Sequence, residues 1–164
     1  MSILRIRIYG DPALKKKALP VEKIGPDEIK LFEDMAQTMY AAKGVGLAAT
    51  QVGRAKQLMV IDVGEGLLKL ANPRIAKAQC KRAGEEGCLS LPDITVKIRR
   101  PEKVVFEALN QDGVKVKIEA EGLLARAFQH EIDHLNGIVI IDRAGIRQRL
   151  LIAKKLAQLK KKRF

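Results

Sequence analysis

Glu121-Gly122-Leu123-Leu124-Ala125-Arg126-Ala127-Phe128-Gln129-His130-Glu131-Ile132-Asp133-His134-Leu135-Asn136-Gly137 is the stretch on which the reading of this chain turns. It predicts a helix from about Glu121 to Asn136, ended by Gly137. Inside it, His130-Glu131-Ile132-Asp133-His134 is an HExxH pentapeptide. Side chains four apart share one helical face a turn apart, so two imidazoles can reach one metal ion. The carboxylate beside the first histidine can touch a metal-bound water and move its proton. The pattern also arises by chance on protein surfaces. Here, however, the chain has only 2 histidines and both fall in these five residues, which favours a metal.

Working outward, Gly25-Pro26-Asp27-Glu28 reads as an earlier helix start, with Pro at the first helical position and acids in the first turn. Ile29, Phe32, Met35, Ala36, Met39 and Tyr40 then fall on one face, and Gly44 closes the helix. Ile3–Tyr9 alternates and fits a short strand or an extended arm. Leu58–Val63 and Leu67–Ala71 read as strands, the second broken by Asn72-Pro73. Ile94–Ile98, Lys103–Leu109 and Val114–Ile118 follow, the last two joined by the turn Asn110-Gln111-Asp112-Gly113. Gly137–Ile141 reads as a short buried strand, and a further helix begins near Ile146. Hairpin-connected strands among long helices place the chain in the α+β class. The expected arrangement is antiparallel sheets packed around a central helix carrying His130–His134, with an N-terminal helix and a basic C-terminal helix. The 164 residues fit one catalytic domain, 1–164, with 146–164 as that basic helix.

Two histidines do not complete a catalytic metal site, which commonly takes three protein ligands and leaves a position for water. Of the 2 cysteines, Cys80 reads as a small buried hydrophobe. Cys88 sits in Glu86-Gly87-Cys88-Leu89-Ser90, ahead of a strand, and is the candidate third ligand. A third segment, Gly44-Val45-Gly46-Leu47-Ala48-Ala49-Thr50-Gln51, is rich in small residues that permit close backbone approach, and ends in a side-chain amide donor. It is no phosphate loop: no Gly-Lys-Ser/Thr follows. Read alone, it is a helix end and a tight turn.

Taken together and in this order, the three segments resemble the three motifs of peptide deformylases. The similarity extends to Gly10-Asp11-Pro12, Ala49-Thr50-Gln51-Val52-Gly53 and His134-Leu135-Asn136-Gly137. The resemblance implies that Cys88, His130 and His134 hold one divalent metal, with water as fourth ligand. It implies Glu131 as general acid/base, and the Gln51 side chain and Leu89 backbone N–H as oxyanion donors. The implied reaction is attack of metal-bound water on the formyl carbon of an N-formyl-methionyl nascent peptide, with release of formate. Ferrous iron is the metal typical of the family, with Zn2+ or Ni2+ able to replace it; a thiolate suits such soft or borderline ions. Around the site, Glu86 is expected to pair with a base such as Arg100, and Ser90 to hydrogen-bond within the Cys88 loop. Leu123 and Ala127, seven and three residues before His130, are candidate walls of a methionine pocket, though Leu123 reads equally as plain core. Gly46 is expected to give room for the substrate backbone. Arg126 and Thr95 receive no role.

The formal net charge is +12, and nine of the 31 basic residues, but no acidic one, lie between Arg143 and Phe164. Leu151, Ile152, Leu156 and Leu159 can share one helical face there, leaving a dense Lys/Arg face. That face suits either plain solvation or salt-sensitive contact with a phosphate backbone. By resemblance it is the element that touches ribosomal RNA near the exit tunnel; an anionic membrane surface is the weaker alternative. No apolar run reaches the ~18 residues of a membrane span, and no leader pattern opens the chain. The expected setting is a cytoplasmic monomer. Two rival functions follow from the same residues. A zinc endopeptidase of the HExxH type would take its third ligand outside Glu86–Ser90. An RNA-binding module with a vestigial site would bind without turnover.

Overall fold

The computed structural model describes residues 1–162. Five strands form one continuous antiparallel sheet in sequential order: β1 Gly46–Ala48, β2 Leu58–Ile61, β3 Leu68–Cys88, β4 Leu91–Leu109 and β5 Lys115–Glu121. The helices are α1 Pro26–Ala41, α2 Gly122–Leu135, the single turn α3 Ile140–Arg143, and α4 Ile146–Lys162. The α+β reading and the antiparallel strands hold, but the expected separate sheets are a single one. The last two residues of the predicted 146–164 helix lie outside the described residues.

α1 starts as its sequence dictates. Glu28 reaches back and accepts from the Gly25 backbone N–H at 3.0 Å, and Pro26 occupies the first turn, where its missing N–H costs nothing. Its buried face holds Phe32, Met35, Ala36 and Met39, with Leu31 joining them against Leu47, Leu58 and Val60. Ile29 and Tyr40, expected on that face, are exposed. The residue in the left-handed region after the helix is Lys43, at φ 58°, not Gly44. Gly44 is needed for space instead: a Cβ there would lie 2.7 Å from Leu89 Cδ1.

Three strand expectations need correction. Asn72-Pro73 does not end a strand. β3 runs through it with a register shift between Ala71 and Arg74, and Asn72, at φ 48°, is held by two hydrogen bonds to the Val21 backbone. Pro73 falls within that bulge, where no ladder N–H is required. Ile94–Ile98 and Lys103–Leu109 are parts of one strand, β4, which passes through Pro101. β5 pairs with β4 only as far as Lys103, and Gln129 of α2 donates to the Pro101 carbonyl at 2.8 Å. Of Gly137–Ile141, expected as a buried strand, Val139, Ile140 and Ile141 are buried, but Ile140 and Ile141 open a helical turn that Val139 precedes in extended conformation; Asp142 accepts from the Val139 N–H at 2.9 Å and caps it. Ile3–Tyr9 takes the arm reading: Arg7 N–H donates to Gln51 O at 2.7 Å and Tyr9 N–H to Ser90 O at 2.8 Å. Cys80 is exposed, at φ 64° on β3, rather than buried.

α2 lies against β1, β2, β4 and β5. Phe128 stacks on Phe106 of β4 with ring centroids 3.6 Å apart, in a core shared with Met59, Ile61 and Leu135. α4 docks Ile152, Leu156 and Leu159 onto Ile94, Val96 and Ile98 of β4, whereas Leu151, assigned to that face, is 78% exposed.

Gly137 ends α2 at φ 75°, and a Cβ there would meet the Lys15 carbonyl oxygen at 2.5 Å. A left-handed L-residue costs roughly 1–2 kcal/mol before any clash, and here the obstacle is backbone. Gly137→Ala is therefore expected to lower unfolding free energy by about 2 kcal/mol or more, read from urea denaturation. A variant as stable as the parent would rule out this reading of the α2 terminus.

Candidate metal centre

Cys88 ends β3, at the tight turn into β4, and the histidines come from the last turns of α2. His134 Nε2 lies 3.2 Å from Cys88 Sγ and 3.2 Å from His130 Nε2. One ligand atom from each of the three residues lies within 4.8 Å of the others. Zinc-type bonds of 2.0–2.3 Å in a tetrahedron put ligand atoms roughly 3.3–3.6 Å apart. The cluster is thus the right size, and its donors, one sulfur and two imidazole nitrogens, suit a borderline divalent ion.

The ligands are held by groups behind them. His130 Nδ1 faces Glu86 Oε1 at 3.0 Å, which fixes the ring with Nε2 toward the cluster. Glu86 is buried and gripped by Arg100, whose Nε and Nη2 donate to its two oxygens at 2.6 and 3.0 Å. The pairing of Glu86 with Arg100 read from sequence is present. Arg100 also donates to Asp133 Oδ2 at 2.8 Å, and Arg143 donates to both Asp133 oxygens. On the other side, the Thr50 hydroxyl donates to the His134 carbonyl at 3.0 Å.

Gln51 is oriented without ambiguity. Its Oε1 accepts from the Ala48 N–H at 2.9 Å, so its amide nitrogen must face the other way. That nitrogen donates to Ser90 Oγ at 3.1 Å and lies 3.7 Å from Cys88 Sγ. Glu131 is buried, and its Oε2 has no hydrogen-bond partner among the described residues. Its other oxygen crowds Gly46, where a Cβ would stand 2.7 Å away. The space at Gly46 thus accommodates the Glu131 carboxylate.

Burial raises the Glu131 carboxyl to about 7, against the pull of His130 and Arg100. Burial also works against ionised Glu86, but hydrogen bonds from His130 and Arg100 outweigh it and hold the carboxyl at about 2. Burial pushes His134 down, so its ring is neutral and free to ligate.

These residues surround a cavity of about 540 Å³. Gly46, Gln51, Cys88, Leu89, Leu123, Ala127, His130 and Glu131 all line it, with His134 behind them in the cluster. Leu123 is 56% exposed at the lip, so it is not plain core. Three participants carried no assignment from sequence: Arg126, Asp133 and Arg143. Asp133 sits between the two histidines, and a charged residue on the buried face of a helix is the signal that it has a partner.

The polypeptide deformylase family profile matches residues 3–149 of the chain. A peptide deformylase of Halothermothrix orenii is 53% identical over 145 residues, 87% of this chain and 94% of that protein. The crystal structure of peptide deformylase from Thermus thermophilus superposes with a TM-score of 0.93 at 38% identity, covering 99% of this chain and 100% of that one. A peptide deformylase from Ehrlichia chaffeensis in complex with actinonin gives 0.93 at 38% identity, over 99% and 98% of the two chains.

Glu86 offers a test by acid. Its folded value, near 2, lies below the ordinary 4.5, so it stabilises the fold above about pH 4.5, and that contribution drains away as pH falls toward 2. Glu86→Gln removes the effect. In metal-free protein, the stability gap between parent and variant is expected to narrow by roughly 3 kcal/mol between pH 5.5 and pH 2, measured by denaturant unfolding at each pH. A gap independent of pH would exclude the linkage.

Proposed function

The chain belongs to the polypeptide deformylase family, and from that premise we propose that it removes the N-formyl group from the N-terminal methionine of nascent polypeptides, releasing formate. The observation that carries this reading is the convergence of Cys88, His130, Glu131 and Gln51 on one cavity, with His134 behind them completing the ligand cluster.

Cys88, His130 and His134 would hold one divalent cation. Such an ion supplies Lewis acidity and lowers the pKa of a coordinated water from 15.7 toward about 7 in favourable sites. Glu131 takes the proton from the attacking water through its unpartnered Oε2. A carboxyl held at about 7 is well matched to taking and returning a proton near neutrality. It then delivers that proton to the departing methionine amine. The Gln51 Nε2–H and the Leu89 backbone N–H stabilise the oxyanion, a donor of this kind being worth about 3–4 kcal/mol. Leu123 and Ala127 wall the methionine side chain, and Gly46 leaves room for both the Glu131 carboxylate and the substrate backbone.

In this reading α2, bearing the His130–His134 motif, is the catalytic helix at the centre of one domain spanning residues 1–164. Ferrous iron, the metal typical of the family, is the native ion in this reading, and the same thiolate and two imidazoles also suit zinc or nickel. The enzyme works as a cytoplasmic monomer; no helix among the described residues is long and apolar enough to cross a membrane. α4 turns Ile152 and Leu156 inward and leaves Arg147, Lys154, Lys155 and Lys161 exposed, a face suited to ribosomal RNA phosphates. The endopeptidase reading needs a third ligand outside Glu86–Ser90, and the position of Cys88 Sγ, 3.2 Å from His134 Nε2, speaks against that need.

Protein purified anaerobically with ferrous iron should release amine from formyl-Met-Ala and not from acetyl-Met-Ala. Glu131→Ala should lower kcat by about a thousandfold with metal content unchanged. No turnover of either peptide by metal-loaded protein would defeat the proposal. Separately, Lys154→Glu with Lys161→Glu should weaken cosedimentation with ribosomes and flatten its salt dependence, while leaving formyl-Met-Ala turnover intact; unaltered cosedimentation would remove α4 from that role.

A further inference from the structure

The metal ligands arrive from two directions, Cys88 on the β3–β4 hairpin and the histidines on α2. Arg126, four residues before His130, spans the gap. Its Nη1 donates to Glu86 Oε2 at 2.7 Å and to the Ile98 carbonyl at 3.1 Å. Its Nη2 donates to the Arg82 carbonyl at 2.9 Å. Arg82 and Glu86 belong to β3, and Ile98 to β4. One guanidinium from α2 therefore grips both strands of the hairpin.

Two further observations bear on its purpose. Gly84 has no positive φ to explain it, yet a Cβ there would stand 3.0 Å from both Cζ and Nη2 of Arg126. The missing side chain makes room for the guanidinium. Arg126 is also not needed to neutralise Glu86, since Arg100 already meets both carboxylate oxygens. What Arg126 alone contributes is the link to the two strand carbonyls. Beyond that link, its side chain lines the cavity beside Leu123 and Ala127.

We propose that Arg126 is a positioning residue: a clamp that fixes the Cys88-bearing hairpin against the histidine-bearing helix, while its aliphatic stem walls the substrate cavity. The stem's role rests on the deformylase reading; the clamp does not.

The experiment follows zinc release from loaded full-length protein to excess chelator, beside kcat and KM for formyl-Met-Ala. Arg126→Gln keeps three side-chain carbons and loses the fork. It should speed zinc release roughly tenfold and lower kcat, with KM unchanged within about twofold. Arg126→Lys, which restores charge with one donor head, should fall between. Gly84→Ala, which presses on the guanidinium, should speed release in the parent but add nothing to Arg126→Gln, as two changes acting through one contact must. Parental zinc release in Arg126→Gln would overturn the clamp. So would a raised KM with untouched kcat and release, which would mark a substrate contact, or a lower Tm of the metal-free variant with unchanged release, which would mark general stability. Inactive wild-type protein with the release pattern intact would sink the deformylase reading and leave the clamp standing.

Discussion

The buried carboxylate of Glu86 is the constraint around which the rest is arranged. It sits on β3 with Arg100, Arg126 and His130 all directed at it. Burying such a group without partners costs several kcal/mol, and removing one member of a buried charge set typically costs 3–5 kcal/mol. The knot extends through Arg100 to Asp133 and on to Arg143, so β3, β4, α2 and α3 meet in one set of ion pairs. Apolar packing would have held these elements together equally well. What ion pairs add is direction, because a guanidinium fork accepts few orientations. His130 inherits that direction through Nδ1, and its Nε2 is thereby aimed at Cys88 and His134.

Three glycines serve the site in a common manner. Gly44 makes room for Leu89, Gly46 for the Glu131 carboxylate, and Gly84 for the Arg126 guanidinium. In each case a side chain of the site, rather than a turn, occupies the space. Small residues in the Gly44–Gln51 segment read from sequence as allowing a backbone to come close, and in the fold the space at Gly44 and Gly46 also admits the side chains of Leu89 and Glu131.

Legibility followed exposure and repetition. The three motif segments were readable because their chemistry depends on residue type and spacing, and the fold brings all three to one cavity. Helix starts were readable because caps are local: Pro26 and Glu28 do what their positions dictate. The second half of β3 was not. From Arg74 to Ala83 it is exposed on both faces, so no alternation marks it, and pairing with β4 alone defines it as a strand. Gly137–Ile141 misled for the opposite reason: a short apolar run is compatible with strand or helix, and the deciding residue, Asp142, lies just past it. Leu151 misled because the face it shares at helical spacing is wider than the strip that β4 can cover.

The N-terminal arm has a bearing on how the protein comes into being. Arg7 is bonded to Gln51, Tyr9 to Ser90, and Ala18 to Leu135, so residues far apart in the chain must meet before the amide of Gln51, the Cys88 turn and the end of α2 share one place. Loop closure over such distances is slow relative to helix formation. α1 and the Asn110–Gly113 hairpin can form early from neighbours alone. Competence to bind metal should therefore emerge in a single late step of folding, with secondary structure present well before it.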